Sequence, residues 1–231
     1  MVVITGGTKG IGLALIHKFA AKGHDIATCA RNKEDLENLK KELVKQYGIE
    51  VFIQSTDVSV REDLATFVDF VKRIEKPIDV LINNAGMFIP GAIHDEAEGS
   101  LEKMIETNLY SAYHVTRGLI GEMITKKAGH IINICSIASF EAYPNGGSYA
   151  ISKHAMWGFS KSLREEMKPH GVRVTSVLPG ATYTASWEGV DLPPERFIKP
   201  EDVAEIVYTS HKVSAQTVTE DIIIRPQLGD I

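Results

Sequence analysis

Tyr149 and Lys153 stand four residues apart in the stretch Tyr149-Ala150-Ile151-Ser152-Lys153, a spacing that makes them neighbours on one helix face. An ammonium beside a phenol favours phenolate and lowers the phenol's pKa from its ordinary value of about 10. The pair therefore reads as a general acid/base. Tyr and Lys at this spacing also occur on ordinary solvated helices, so the reading depends on what surrounds them. Ser136 ends an apolar strand-like run and offers a hydroxyl to a developing oxyanion.

A second kind of chemistry follows the first apolar run. Thr5-Gly6-Gly7-Thr8-Lys9-Gly10-Ile11-Gly12 sets Gly6, Gly10 and Gly12 between a strand and a helix. Such a turn brings backbone and helix N-terminus close to a pyrophosphate. The next strand ends Cys29-Ala30-Arg31-Asn32, without an acid to hold a ribose 2′-hydroxyl. Arg31 can instead grip a 2′-phosphate through paired, charge-assisted hydrogen bonds, and Lys9 adds a second cation. NADPH is expected in preference to NADH.

The elements that must position these groups alternate along the chain. Strand patterns fall at 2–5, 25–30, 51–56, 80–83, 131–135, 172–178 and 222–225, most of them apolar throughout, as in strands covered on both faces. Helical patterns fall between them at 11–22, 33–47, 61–74, 100–127, 146–168 and 201–212, with Gly23, Gly48 and Gly171 as stop signals. The expected fold is α/β: a single domain over 1–231 with a doubly wound (Rossmann), mainly parallel seven-stranded sheet and helices on both faces. Thr5-Gly6-Gly7, Asp57, Asn83-Asn84-Ala85-Gly86, Ser136 and Pro179-Gly180 all lie at carboxyl ends of expected strands, where such sheets bind ligands.

Composition narrows the function classes. With 231 residues, 44% hydrophobic and 24% charged, the chain is long enough for a sizeable core and is neither disordered nor fibrous in type. A net charge of −5 gives no basis for nucleic-acid binding. The eight histidines are scattered from His17 to His211, and Cys29 and Cys135 sit in apolar runs, so neither a metal site nor a disulfide is expected. No leader or membrane span is legible, and the cytoplasm is the expected location.

Taken together, Thr5-Gly6-x-x-x-Gly10-x-Gly12, Asp57-Val58, Asn83-Asn84-Ala85-Gly86, Asn108, Ser136, Tyr149-x-x-x-Lys153 and Pro179-Gly180 resemble the short-chain dehydrogenase/reductase family over nearly the whole chain. The resemblance implies a tetrad of Asn108, Ser136, Tyr149 and Lys153, in which Tyr149 protonates a substrate carbonyl oxygen while NADPH delivers hydride to its carbon. Lys153 would also reach the nicotinamide ribose, and Asn108 would hold a water that relays protons. The resemblance further implies cofactor contacts from Thr8, Ile11 and Asn32 around the turn and second strand, Asp57 and Val58 at the adenine, and Asn84, Ala85 and Gly86 at the ribose. Pro179, Gly180, Thr182 and Thr184 would face the carboxamide. Thr182 stands where valine is commoner in the family.

Residues 181–199 form a long connection, read as a substrate lid with Tyr183, Trp187 and Leu192 on its inner surface. Met87, Phe88, Phe140 and Tyr143 are expected on the opposite wall of an apolar, partly aromatic pocket for a small-molecule carbonyl substrate. The segments 179–187 and 222–231 resemble those of bacterial sepiapterin-reductase-like members. The 3-oxoacyl-[acyl-carrier-protein] reductases are the competing subgroup, and a non-catalytic NADP-sensing protein is the reading outside enzymes. Two apolar stripes on the helix at 146–168 imply a homodimer or homotetramer.

Overall fold

β-branched and apolar runs short enough to cross a core once become the strands of a central sheet in the computed structural model, which describes residues 1–184, 187, 189 and 191–231. The strands are β1 Val2–Thr5, β2 Ile26–Ala30, β3 Val51–Ser55, β4 Val80–Asn83, β5 Gly129–Ile134, β6 Val172–Pro179 and β7 Asp221–Ile224. All pair in parallel, in the order β3-β2-β1-β4-β5-β6-β7. The winding reverses between β1 and β4, and a crevice opens there at the strands' carboxyl ends.

Among the described residues seven α-helices accompany the sheet: α1 Gly10–Ala20, α2 Lys33–Tyr47, α3 Arg61–Lys72, α4 Ser100–Ile105, α5 Ser111–Lys126, α6 Gly147–Met167 and α7 Pro200–Lys212. Leu15, Ile16 and Phe19 of α1, Leu39 and Leu43 of α2, and Val203 and Val207 of α7 cover one face. Leu64 and Phe67 of α3, Val115 and Leu119 of α5, and Leu163 and Met167 of α6 cover the other. No helix among the described residues is long and apolar enough to cross a membrane.

Element edges lie within about two residues of the sequence reading, with one consequential difference. The continuous helix expected over 100–127 is broken by a π-helical turn at Glu106–Tyr110. One extra residue in a turn re-aims what it carries, and such bulges cluster at functional sites. Here it turns Asn108 inward, to 1% exposure. A second difference concerns Gly129 and His130, which belong to β5 rather than preceding it.

His130 belongs to a histidine cluster at the amino ends of β5 and β6, opposite the crevice. The Thr175 hydroxyl donates to the Thr219 carbonyl at 2.6 Å, so its oxygen accepts from His130 Nε2–H at 2.8 Å. Neutral His130 then presents a bare Nδ1 to the Nδ1 of His211, 3.4 Å away. Arg173 donates to the His211 carbonyl, and the His24 ring lies 6.1 Å from that of His211. Burial first, then Arg173, lowers the pKa of both His130 and His211, the latter to about 4. Burial and the N-terminal ammonium lower His24, against the opposing pull of Asp79 and Asp25.

The unfolded chain gains protons on these rings as pH falls through about 6.5, while the fold resists until lower pH. The stabilisation is therefore present above about pH 6.5 and lost as pH falls towards the folded values. The melting temperature is expected to drop between pH 7 and 5, and His130→Gln to melt lower at pH 7 but with a shallower pH dependence. Equal slopes for the two proteins would contradict this account.

Candidate active site

The glycine turn is shaped by both strands at the switch point. Gly6 has φ +70°, a conformation costly for any side chain. The Asn84 side-chain amide donates to the carbonyls of Thr5 and Gly6, each at 3.0 Å, and the Thr5 hydroxyl accepts from the N–H groups of Asn84 and Ala85, each at 3.1 Å. A Cβ at Gly12 would collide with the Gly6 carbonyl oxygen and the Asn84 amide. The α1 N-terminus carries no side-chain cap, as an anion-binding helix start requires. This cradle fits a dinucleotide's pyrophosphate.

The other expected cofactor residues sit on the same rim. Lys9 and Arg31 are exposed, and Thr8 and Ile11 are half-buried in the turn. The Asn32 side-chain oxygen caps α2 through Glu34 N–H and Asp35 N–H, which commits it to the helix. Asp57 accepts from both the hydroxyl and the N–H of Ser59, and these bonds, with Arg31 nearby, lower its pKa. Val58 packs against the core beside it. Pro179 ends β6, the Gly180 N–H bonds to Ile224, and Thr182 folds its hydroxyl onto the Gly180 carbonyl, leaving its backbone to act. Thr184 packs against Gly10 at the glycine turn.

All four expected catalytic residues converge at the carboxyl end of β5. Ser136 caps a 3-10 turn, Ile137–Ser139, its oxygen accepting from Ala138 N–H at 3.2 Å; this fixes the hydroxyl and leaves its hydrogen free to donate. Lys153 is buried at 5% exposure and donates to the Ile134 carbonyl at 3.0 Å. Its Nζ lies 5.8 Å from the centre of the Tyr149 ring. Asn108 Oδ1 accepts from Met87 N–H at 2.7 Å, and its Nδ2 donates to the Met87 carbonyl and the Ser152 hydroxyl. Gly86 lies between Asn108 and Lys153, since a Cβ there would stand 3.3 Å from Asn108 Oδ1 and 3.5 Å from Lys153 Nζ.

One electrostatic expectation is corrected. Burial raises the Tyr149 pKa above its ordinary value, against the Ser136 hydroxyl, which lowers it. Burial likewise lowers Lys153. Desolvation thus outweighs the hydrogen bond from Ser136 that favours the phenolate.

The expected aromatic pocket is only half assembled. Phe88 meets the Tyr149 ring edge-on at 5.1 Å, burial and Tyr149 together raise the pKa of Tyr143, and Met87 follows through its bonds to Asn108. Phe140 turns to Trp157, 6.0 Å away. Tyr183 and Trp187 instead pack on Phe197 at 5.5 and 5.1 Å and line a cavity of about 740 Å³ with Gly10, Leu13, His17 and Glu201. Apolar contact with Phe197 draws them to the α1 and α7 side. Leu192 is exposed, and Ala185, Ser186, Glu188 and Val190 of the expected lid lie outside the described residues. Sequence reasoning missed Ser152, whose hydroxyl accepts from Asn108 and donates to the Tyr149 carbonyl at 2.7 Å. A small polar residue on the buried stripe of α6 was the available signal.

With this geometry in place, the comparisons with known proteins converge. Residues 1–193 match the short chain dehydrogenase family, and the chain belongs to it. Sepiapterin reductase of Chlorobaculum tepidum is 32% identical over 239 residues, covering 100% of this chain and 98% of that protein. An alcohol dehydrogenase of the archaeon Thermococcus sibiricus, complexed with 5-hydroxy-NADP, superposes with a TM-score of 0.90 at 29% identity, covering 98% of this chain and 96% of its own. A 3-oxoacyl-[acyl-carrier protein] reductase from Brucella melitensis superposes at 0.87 with 25% identity, covering 97% and 89%. The protein is an oxidoreductase that uses NADP(H).

Arg31→Asp should invert the preference between NADPH and NADH, read as the ratio of kcat/KM for the two. An unchanged ratio would remove Arg31 from 2′-phosphate recognition.

Proposed function

We propose that the protein reduces the ketone or other carbonyl of a small apolar, aromatic or pterin-like substrate, in the manner of sepiapterin-reductase-like carbonyl reductases. The observation that carries this is the constellation of Ser136, Tyr149, Lys153 and Asn108 beside an aromatic wall. Identity to the Chlorobaculum tepidum sepiapterin reductase along the full chain supports the substrate class. NADPH, held by the glycine turn at Gly6, Gly10 and Gly12, would supply the hydride for the carbonyl carbon. Tyr149 gives its proton to the carbonyl oxygen while the Ser136 hydroxyl donates to the same oxygen as charge builds on it. The raised pKa of the phenol suits this direction, since it enters the reaction protonated at neutral pH. Lys153 then stabilises the phenolate left behind. Asn108, its side chain committed to Met87 and Ser152, serves the relay by holding the floor of the site.

Two features at the rim bear on specificity. Residues 181–199 act as the lid, carrying Tyr183 and Trp187 towards Phe88 and Tyr143 when substrate enters. Asp230 pairs with Arg225 and stands over Gly180. The competing reading, 3-oxoacyl-[acyl-carrier-protein] reduction, draws support from the Brucella melitensis neighbour. Exposed Tyr110, Tyr113 and Ile151 on the outer surfaces of the π turn, α5 and α6 support pairing of two copies across these helices.

NADPH oxidation with diketones, pterins and acetoacetyl thioesters is expected to be fastest with diketones or pterins. Fastest turnover of the thioester would favour the competing reading, and no turnover of any carbonyl would overturn both. Sedimentation at micromolar concentration should show a dimer or tetramer; a monomer would contradict the pairing.

A further inference from the structure

Among the buried residues of α6, only Lys153 and Arg164 are charged. They lie about three turns apart, nearly in line along one face, a separation of roughly 16 Å. Lys153 serves the site, whereas Arg164 reaches the far edge of the sheet. Its Nε donates to the Val174 carbonyl at 2.9 Å, and its Nη2 to the Ser176 hydroxyl at 3.1 Å, to Asp221 Oδ1 at 3.0 Å and to the Glu220 carbonyl. Its Nη1 lies 3.6 Å from the Glu220 carboxylate. One buried guanidinium thus ties the catalytic helix to β6 and to the start of β7.

The tie continues under the helix. Ser176 donates to the Ser160 hydroxyl at 3.0 Å, which also accepts from Asn133 Nδ2 at 2.8 Å; Asn83 Nδ2 reaches Asn133 Oδ1 at 2.8 Å and Thr116 at 2.9 Å. Asp221 holds α6 a second time, accepting from Trp157 Nε1 at 3.2 Å, and the Trp157 ring meets Phe140 in the segment that follows Ser136. Bulky apolar residues on the buried face of α6 are few, Met156, Leu163 and Met167. Apolar burial is non-directional and methionine adapts its shape, so neither sets where a helix stops along a sheet. Hydrogen bonds to a buried, forked cation do.

We propose that Arg164, held by Asp221, is a positioning residue for the reduction: it fixes the register of α6 against β6 and β7, and with it the meeting of the Tyr149 phenol with the Ser136 hydroxyl. The proposal rests on Tyr149 being the acid. A side chain so far along the helix touches neither substrate nor cofactor, so its loss should appear in the chemical step and not in cofactor binding.

The test compares wild type, Arg164→Met, Arg164→Lys and Asp221→Asn by kcat, KM for NADPH, the pH profile of kcat and melting temperature, using the best carbonyl substrate of the panel. Arg164→Met should lower kcat by about tenfold to a hundredfold, the cost of a misplacement near 1 Å. Its KM for NADPH should stay within about twofold of wild type, and the alkaline limb should move by about half a pH unit as the phenol's surroundings change. Arg164→Lys should restore part of the rate. A lower melting temperature with wild-type kcat and pH profile overturns the proposal. Where Arg164→Met does not fold, Asp221→Asn is read by the same criterion, with a smaller drop expected and wild-type kcat and profile again overturning it. Tyr149→Phe, run in parallel, separates the two claims. If it keeps wild-type turnover, the assignment of the acid fails and the proposal with it; if it is inactive while the Arg164 variants turn over normally, only the proposal fails.

Discussion

A buried ammonium governs the catalytic end of this molecule. Lys153 sits at 5% exposure, held by the Ile134 carbonyl at the end of β5, with burial lowering its pKa. Removing a charge from water is costly unless acceptors are fixed in place for it, so the surroundings must be rigid. The same burial pushes the neighbouring phenol up and keeps its proton on. In the proposed mechanism one desolvated pocket sets both partners of the proton transfer: an acid that carries its proton, and a cation ready for the phenolate that forms.

The rest of the structure supplies that rigidity. The π turn spends one residue to swing Asn108 inward, where its amide clasps the Met87 backbone and the Ser152 hydroxyl on α6. Ser136 is fixed by its own capping turn. Across the switch point, Asn84 ties β4 to the glycine turn, so the cofactor cradle and the catalytic helix share one frame. Polar bonds, and not bulk alone, decide where each reacting atom stands.

The mainly parallel sheet and the place of the crevice were legible because apolar runs, glycine turns and carboxyl-end polar residues each obey local rules. The four residues proposed as the tetrad were picked out by their motifs, Asn108 by resemblance alone, and the fold brings them together. The π turn was not, because Asn108 interrupts an apolar pattern only once and its partners, Met87 and Ser152, are distant in sequence. The pKa of Tyr149 was misjudged in sign because spacing reports the nearby cation and is silent on desolvation. That Trp187 and Tyr183 rest on Phe197 was hidden for a similar reason: their attraction to Phe197 is tertiary, and no periodicity announces it. Arg164 drew no reading from the sequence, because its acceptors on β6 and β7 emerge only from the fold.

The central claim is that Tyr149 enters the reaction protonated and that Lys153 stabilises the phenolate it becomes. The pH dependence of kcat for NADPH-driven carbonyl reduction, in wild type and Lys153→Met, addresses it most directly. The account predicts that removing the cation lowers kcat by about a hundredfold or more and moves the alkaline limb to higher pH, because the phenol loses its proton less readily. A Lys153→Met enzyme with the wild-type rate and an unmoved limb would contradict it.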